Sequence, residues 1–170
     1  MEAALDIEFL RGLSSDPIIK ELALVSDGVI HTFLFKPPYP MHAHGSKENG
    51  LNWDDGHKPY DHLHRVLNEV TAPFNHLYAY GSEKCDILKH KLKRHIHDYK
   101  ELNCPDPNEI KSDFRCYMTC HSFPHMRCPT RNAGALHNWL LYFFKKKSYI
   151  SCPKDFSRHT AEFASGIEET

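Results

Sequence analysis

At 170 residues, with 41% hydrophobic and 25% charged side chains, the chain has the length and composition of one globular domain. These values argue against disorder, and the longest apolar run, residues 140–144, is too short to span a bilayer. A formal net charge of −1 means that a nucleic-acid partner would have to be held by a local basic surface, not by the field of the whole molecule.

Residues 3–9 alternate Leu5, Ile7 and Phe9 with Asp6 and Glu8, which is strand periodicity and places both acids on one face. The stretch RGLSSDP reads as a loop, IIKELALV as a second strand, and Ser26-Asp27-Gly28 as a tight turn into a third, VIHTFLFK, ending at Pro37-Pro38. Short links make these three an antiparallel meander. Residues 40–59, rich in Gly, His, Asn and Asp, read as an irregular surface connection. Leu63, Val66, Leu67 and Val70 then recur at helical spacing. HLYAYG predicts a strand, EKCDILKHKL a helix and HIHDY a fifth strand, an alternation that fits parallel pairing through crossovers. Periodicity fails between Asn103 and Pro129, a stretch of Cys, His, Pro and aromatic residues, and returns as the stripe Ala133, Leu136, Leu140, Phe143. The polar tail, residues 153–170, predicts poor order, leaving 1–152 as the domain.

Two basic stretches are candidates for nucleic-acid contact: Lys89, His90, Lys91, Lys93, Arg94, His95, and Lys145 to Lys147. A solvated helix face has the same composition. Trp53, Tyr60, Tyr78 and Tyr80 could stack bases, although such residues more commonly fill a core or its rim, where Trp139 is also expected. Six cysteines and fourteen histidines exceed what packing needs. No basic-then-apolar leader precedes Leu5, so the expectation is a cytoplasmic or nuclear protein without membrane contact, with reduced thiols whose clustering points to a metal. Cys85, Cys104 and Cys152 read as structural.

The order meander, helix, strand, helix, strand, final helix resembles that of the RNase H-like exonucleases of the DnaQ or DEDD type. The resemblance is carried by Asp6-Ile7-Glu8, the loop RGLSSDP, Ile18-Ile19-Lys20-Glu21-Leu22 and VSDGVIHTFLFKPP, with Asn49-Gly50-Leu51 a weaker echo of a family element. It is nearer still to a zinc-bearing subset, the exonuclease domain of arenavirus nucleoproteins and the Maelstrom domain. The resemblance implies an α/β fold with a mixed sheet of about five strands flanked by helices, and a structural Zn²⁺ stabilising a Cys/His loop. Its ligands would be Glu21, Cys116, His121 and Cys128, with Cys120 and His125 as substitutes for the middle pair. GSEKCDIL looks like the segment that supplies the family's third acid, Glu83 being the best match and Asp86 a substitute.

Two-metal phosphodiester cleavage needs carboxylates converging on Mg²⁺ or Mn²⁺ ions about 3.5 to 4 Å apart. By resemblance Asp6, Glu8 and Glu83 would hold them; a strand showing two solvated acids is the plainer reading of Asp-x-Glu. The chain departs from the family at its last motif, where Arg127 replaces the general-base His and Asn132 the final Asp. Arginine does not take a proton from water at neutral pH, and an amide is a poor ligand for a hard cation. The implied function is metal-dependent 3′-5′ hydrolysis of RNA or DNA, at single strands or 3′ ends, with Lys91, Lys93, Arg94 and Arg127 contacting phosphates. The alternative is an inactive module of the same fold that binds RNA or protein.

Overall fold

The computed structural model describes residues 1–12, 16–40, 53–112 and 128–150, with side chains to residue 147. Contacts divide the chain into Met1–Trp139 and Leu140–Thr170. The first unit holds a five-stranded mixed sheet in the order β3-β2-β1-β4-β5. β1 (Glu2–Arg11), β2 (Pro17–Ser26) and β3 (Val29–Leu34) form the antiparallel meander. β4 (His76–Ala79) pairs parallel with β1, and β5 (His97–Asp98) parallel with β4. The helices are α1 (Leu63–Thr71), α2 (Ser82–Leu92) and α3 (Pro129–Ile150), the last running on into the second unit. Among the described residues no helix is long and apolar enough to cross a membrane.

One face of the three central strands is apolar. Leu5, Ile7, Leu22 and Leu24 pack with Leu63, Val66 and Leu67 of α1 and Cys85, Leu88 and Leu92 of α2, all in one buried cluster. Burial drives the Cys85 thiol up to about 12, so it packs as a small apolar group. Arg94 ties α1 to the chain beyond α2: its guanidinium donates to the Thr71 carbonyl at 2.9 Å and to the Phe74 carbonyl, satisfying acceptors that the end of α1 leaves open. The second of the expected basic stretches, Lys145 to Lys147, is exposed on the continuation of α3. The tail 153–170 lies outside the described residues.

Three details depart from simple periodicity. HIHDY contributes only His97 and Asp98 to the sheet, because the Asp98 carboxylate accepts from the Lys100 amide at 2.9 Å and turns the chain into a 3-10 helix, Tyr99–Leu102. Gly56 has φ +136, and a Cβ there would lie 2.4 Å from the Phe35 carbonyl carbon, so only glycine lets this loop reach the backbone beyond β3. Between Glu8 and Phe9 the β1–β2 register shifts, leaving Lys20 as the extra residue of a bulge.

Lys20 is fully buried; its ammonium donates to the Trp53 carbonyl at 2.6 Å and to the Asp55 carbonyl. Loss of hydration lowers its pKa to about 8, against the opposing pull of Asp55 and Asp54. Between about pH 8 and 10.5 the unfolded chain therefore holds a proton that the folded chain has released, and stability rises with pH. Denaturant unfolding across that range should show wild type gaining up to about 3 kcal/mol relative to Lys20→Met; equal slopes for the two proteins would contradict the assignment.

Candidate functional site

β1 is the middle strand of the sheet, and its residues 3–8 are all buried, so both of its faces are covered. Asp6 is 1% exposed and Glu8 7%. These are not the solvated acids of an edge strand. Glu21 stands opposite Glu8 and Ala23 opposite Asp6, so Glu21, fully buried, shares their face. Thr32, next across the sheet from Ala23, shares a 2.9 Å hydrogen bond between hydroxyls with Thr130 of α3. Two residues on, Asn132 Nδ2 donates to Asp6 Oδ2 at 3.0 Å. The first turns of α3 thus rest on the polar side of the sheet.

The local sequence explains how α3 is brought there. Cys128 is the residue before the helix, with Pro129 at the first helical position, where a missing N–H costs nothing. The Cys128 thiol accepts from the Arg131 amide at 3.5 Å and its carbonyl from the Asn132 amide at 3.0 Å. Further along, His137 Nε2 lies 3.2 Å from Asp27 Oδ1 in the β2–β3 turn.

The cation facing the acids comes from α2. Lys84 Nζ donates to Asp6 Oδ1 at 2.6 Å and lies 3.8 Å from Glu8 Oε1, with its side chain only 22% exposed. A lysine in the first turn of a helix opposes the helix dipole; the two carboxylates supply the compensating field. Gly81, with φ +92, makes the sharp exit from β4, and its amide donates to Asp98 Oδ1 at 2.9 Å, which fixes the point where α2 begins. Asn132 Oδ1 is buried and has no hydrogen-bond partner among the described residues. The Lys84 ammonium thus links the Asp6 and Glu8 carboxylates, and the Asn132 amide closes on Asp6 from α3.

Glu83, the expected third acid, is directed elsewhere. Its Oε1 pairs with Arg11 at 2.7 Å at the surface, with the side chain 61% exposed. One residue of helix turns a side chain by about 100°, so Glu83 faces outward where Lys84 faces the sheet. Asp86, the substitute, is also outside the cluster, 3.8 Å from Lys89 and 75% exposed. Of the expected zinc ligands, Glu21 and Cys128 are buried, while Cys116, His121, Cys120 and His125 lie outside the described residues, as does Arg127. Among the described residues no group of three or more His, Cys, Asp and Glu gathers in metal-binding geometry.

The basic candidates divide. Lys93 is exposed and Lys91 half-buried, whereas the Arg94 guanidinium is engaged by backbone carbonyls. Trp53 is buried, its indole donating to the Tyr39 carbonyl at 2.9 Å, and the Tyr60 hydroxyl accepts from the Ile19 amide at 3.2 Å. Lys84 was the residue that sequence reasoning overlooked; the signal was its position beside Glu83 at a helix start, where a cation needs a reason to be.

Removing the ammonium leaves two buried carboxylates without their cation, so Lys84→Ala should destabilise the fold by about 2 to 3 kcal/mol in urea unfolding. The triple change Asp6→Asn, Glu8→Gln, Lys84→Met should recover much of that loss. Equal stability of wild type and Lys84→Ala would show that the bridge contributes nothing.

No family model, no curated protein and no solved structure matches this chain.

Proposed function

We propose that the chain is an RNase H-like domain of the DnaQ type that has exchanged its catalytic cations for a lysine, and that it acts as a non-cleaving module binding RNA or protein, in the manner of the Maelstrom domain. The observation that carries this reading is the Lys84 ammonium 2.6 Å from Asp6 and 3.8 Å from Glu8. It supplies one positive charge where hydrolysis calls for two divalent ions. A lysine gives no Lewis acid for the phosphoryl oxygen and no metal-bound water as nucleophile. Glu83, matched to the third acid of the active arrangement, is turned to Arg11, and at the position of the fourth Asn132 offers Asp6 an amide.

The fold part of the reading is supported by the order of elements: an antiparallel meander whose first strand bears the acids at the sheet centre, then helix, strand, helix, strand, helix. It is supported too by the GSEK segment and Asn132 both arriving at Asp6, through Lys84 and the Asn132 amide respectively.

A structural Zn²⁺ held by Glu21, Cys116, His121 and Cys128 belongs to the same reading. The two of these residues that are described suit the ion: Glu21 is a buried carboxylate, which a cation would stabilise, and Cys128 a buried thiol, whose thiolate is a favoured zinc ligand. The ion would pin the loop before α3 and so hold the helix on the sheet.

The reading is tested by incubating the purified protein with Mn²⁺ and end-labelled single- and double-stranded RNA and DNA. Wild type should leave every substrate intact. Laddering from the 3′ end that is lost in an Asp6→Ala, Glu8→Ala variant would establish a metal-dependent exonuclease instead. Metal analysis of the same preparation should find about one zinc per chain; a folded, zinc-free protein would remove the Glu-Cys-His-Cys site.

A further inference from the structure

The sheet face that carries Asp6 and Glu8 has a second polar group at its other end. Glu2 pairs in register with His76, Ala4 with Tyr78, and Tyr78 with His97, so these side chains continue the line of Asp6 and Glu8 across β4 to the short edge strand β5. His97 stacks on Tyr78 with ring centroids 4.8 Å apart. The His95 ring meets it edge-on at 4.5 Å, and His76 lies 5.6 Å away. His76 and His95 are exposed and His97 is half-buried. Three imidazoles on one edge, backed by a phenol ring, are neither core packing nor a dispersed solvated face.

We propose that His76, His95 and His97, together with Lys89 and Lys93, form a surface that binds a single strand of nucleic acid and grips it more tightly as the pH falls. The inference rests on the reading of the chain as a nucleic-acid-binding module and gives that module its contact surface. Flat rings at a sheet edge offer bases a stacking platform, and protonated imidazoles offer phosphates a charge. The platform stands where the expected Arg94 contact is lost to backbone capping, and Lys93, exposed, precedes His95 by two residues.

The charges around the cluster set the direction of the pH dependence. His97 is held below the usual imidazole range, first by burial, then by His95 and His76; Lys89 of α2 acts the same way, and Glu101 of the 3-10 helix opposes it. From β1, Glu2 faces His76 in register, and within β4 Tyr78 is the stacked neighbour. Asp98 is engaged by the Gly81 and Lys100 amides. The His97 ring is therefore kept neutral further into the acid range and gains positive charge on acidification. A bound phosphate offsets the repulsion among the imidazoliums, so binding takes up protons.

Fluorescence polarisation with a short labelled oligouridine, at one ionic strength and at about pH 5.5 and 7.5, tests the surface. Wild type should bind about tenfold more tightly at the lower pH. The triple variant His76→Gln, His95→Gln, His97→Gln should lose that difference, and Lys93→Glu should weaken binding at both pH values. Circular dichroism confirms folding, and the single variant His95→Gln, at an exposed position, should show a reduced pH effect if the triple variant does not fold. Unchanged pH dependence in the folded triple variant, or in His95→Gln where the triple variant is unfolded, overturns the surface while leaving the module reading intact. Absence of binding by wild type at both pH values overturns the surface and the RNA arm of that reading, leaving a protein ligand.

Discussion

Two carboxylates at the centre of a sheet are the constraint around which this domain is arranged. Taking Asp6 and Glu8 out of water would cost several kcal/mol each without partners. The ammonium of Lys84 and the amide of Asn132 meet that demand from two different helices. The demand in turn explains details that would otherwise look arbitrary: the left-handed glycine at the exit of β4, the Asp98 carboxylate holding its amide, and a lysine placed against the helix dipole.

Much of the architecture was legible because alternation and helical spacing are direct imprints of burial. The meander, α1, β4 and α2 follow from Leu5, Ile7, Leu22, Leu24, Val66, Leu67 and Leu88, all of which lie in one core. The burial of Asp6 and Glu8 was not legible, because an alternating polar face looks the same whether water or a helix covers it. Glu83 and Lys84 show how fine the missing information is. Which of two adjacent residues faces the sheet depends on where the helix starts, and that is decided by the Asp98 contact with Gly81, seventeen residues apart in sequence. Lys20 was hidden for a related reason: a bulge interrupts the two-residue period that would otherwise assign each side chain to a face.

The two ends of the polar face differ in how their charge is set. Near Glu8 the charges are fixed by burial and by contacts of less than 4 Å between oppositely charged groups. At the β5 edge they are carried by imidazoles, which change their charge in the range a cell can reach. Tyr78 of β4 lies on the strand between, its ring 5.6 Å from that of Tyr99, which Trp139 meets edge-on at 6.2 Å.

The opening turns of α3 act as a key with three teeth. Thr130 engages β3, Asn132 engages β1, and His137 engages the turn that joins β2 to β3. Because each helical residue turns the chain by about 100°, inserting one residue between Thr130 and Asn132 would rotate the later two by that angle and disengage them together. Length in this segment is therefore held more strictly than side-chain identity: a threonine can become a serine here, but the distance along the chain cannot drift.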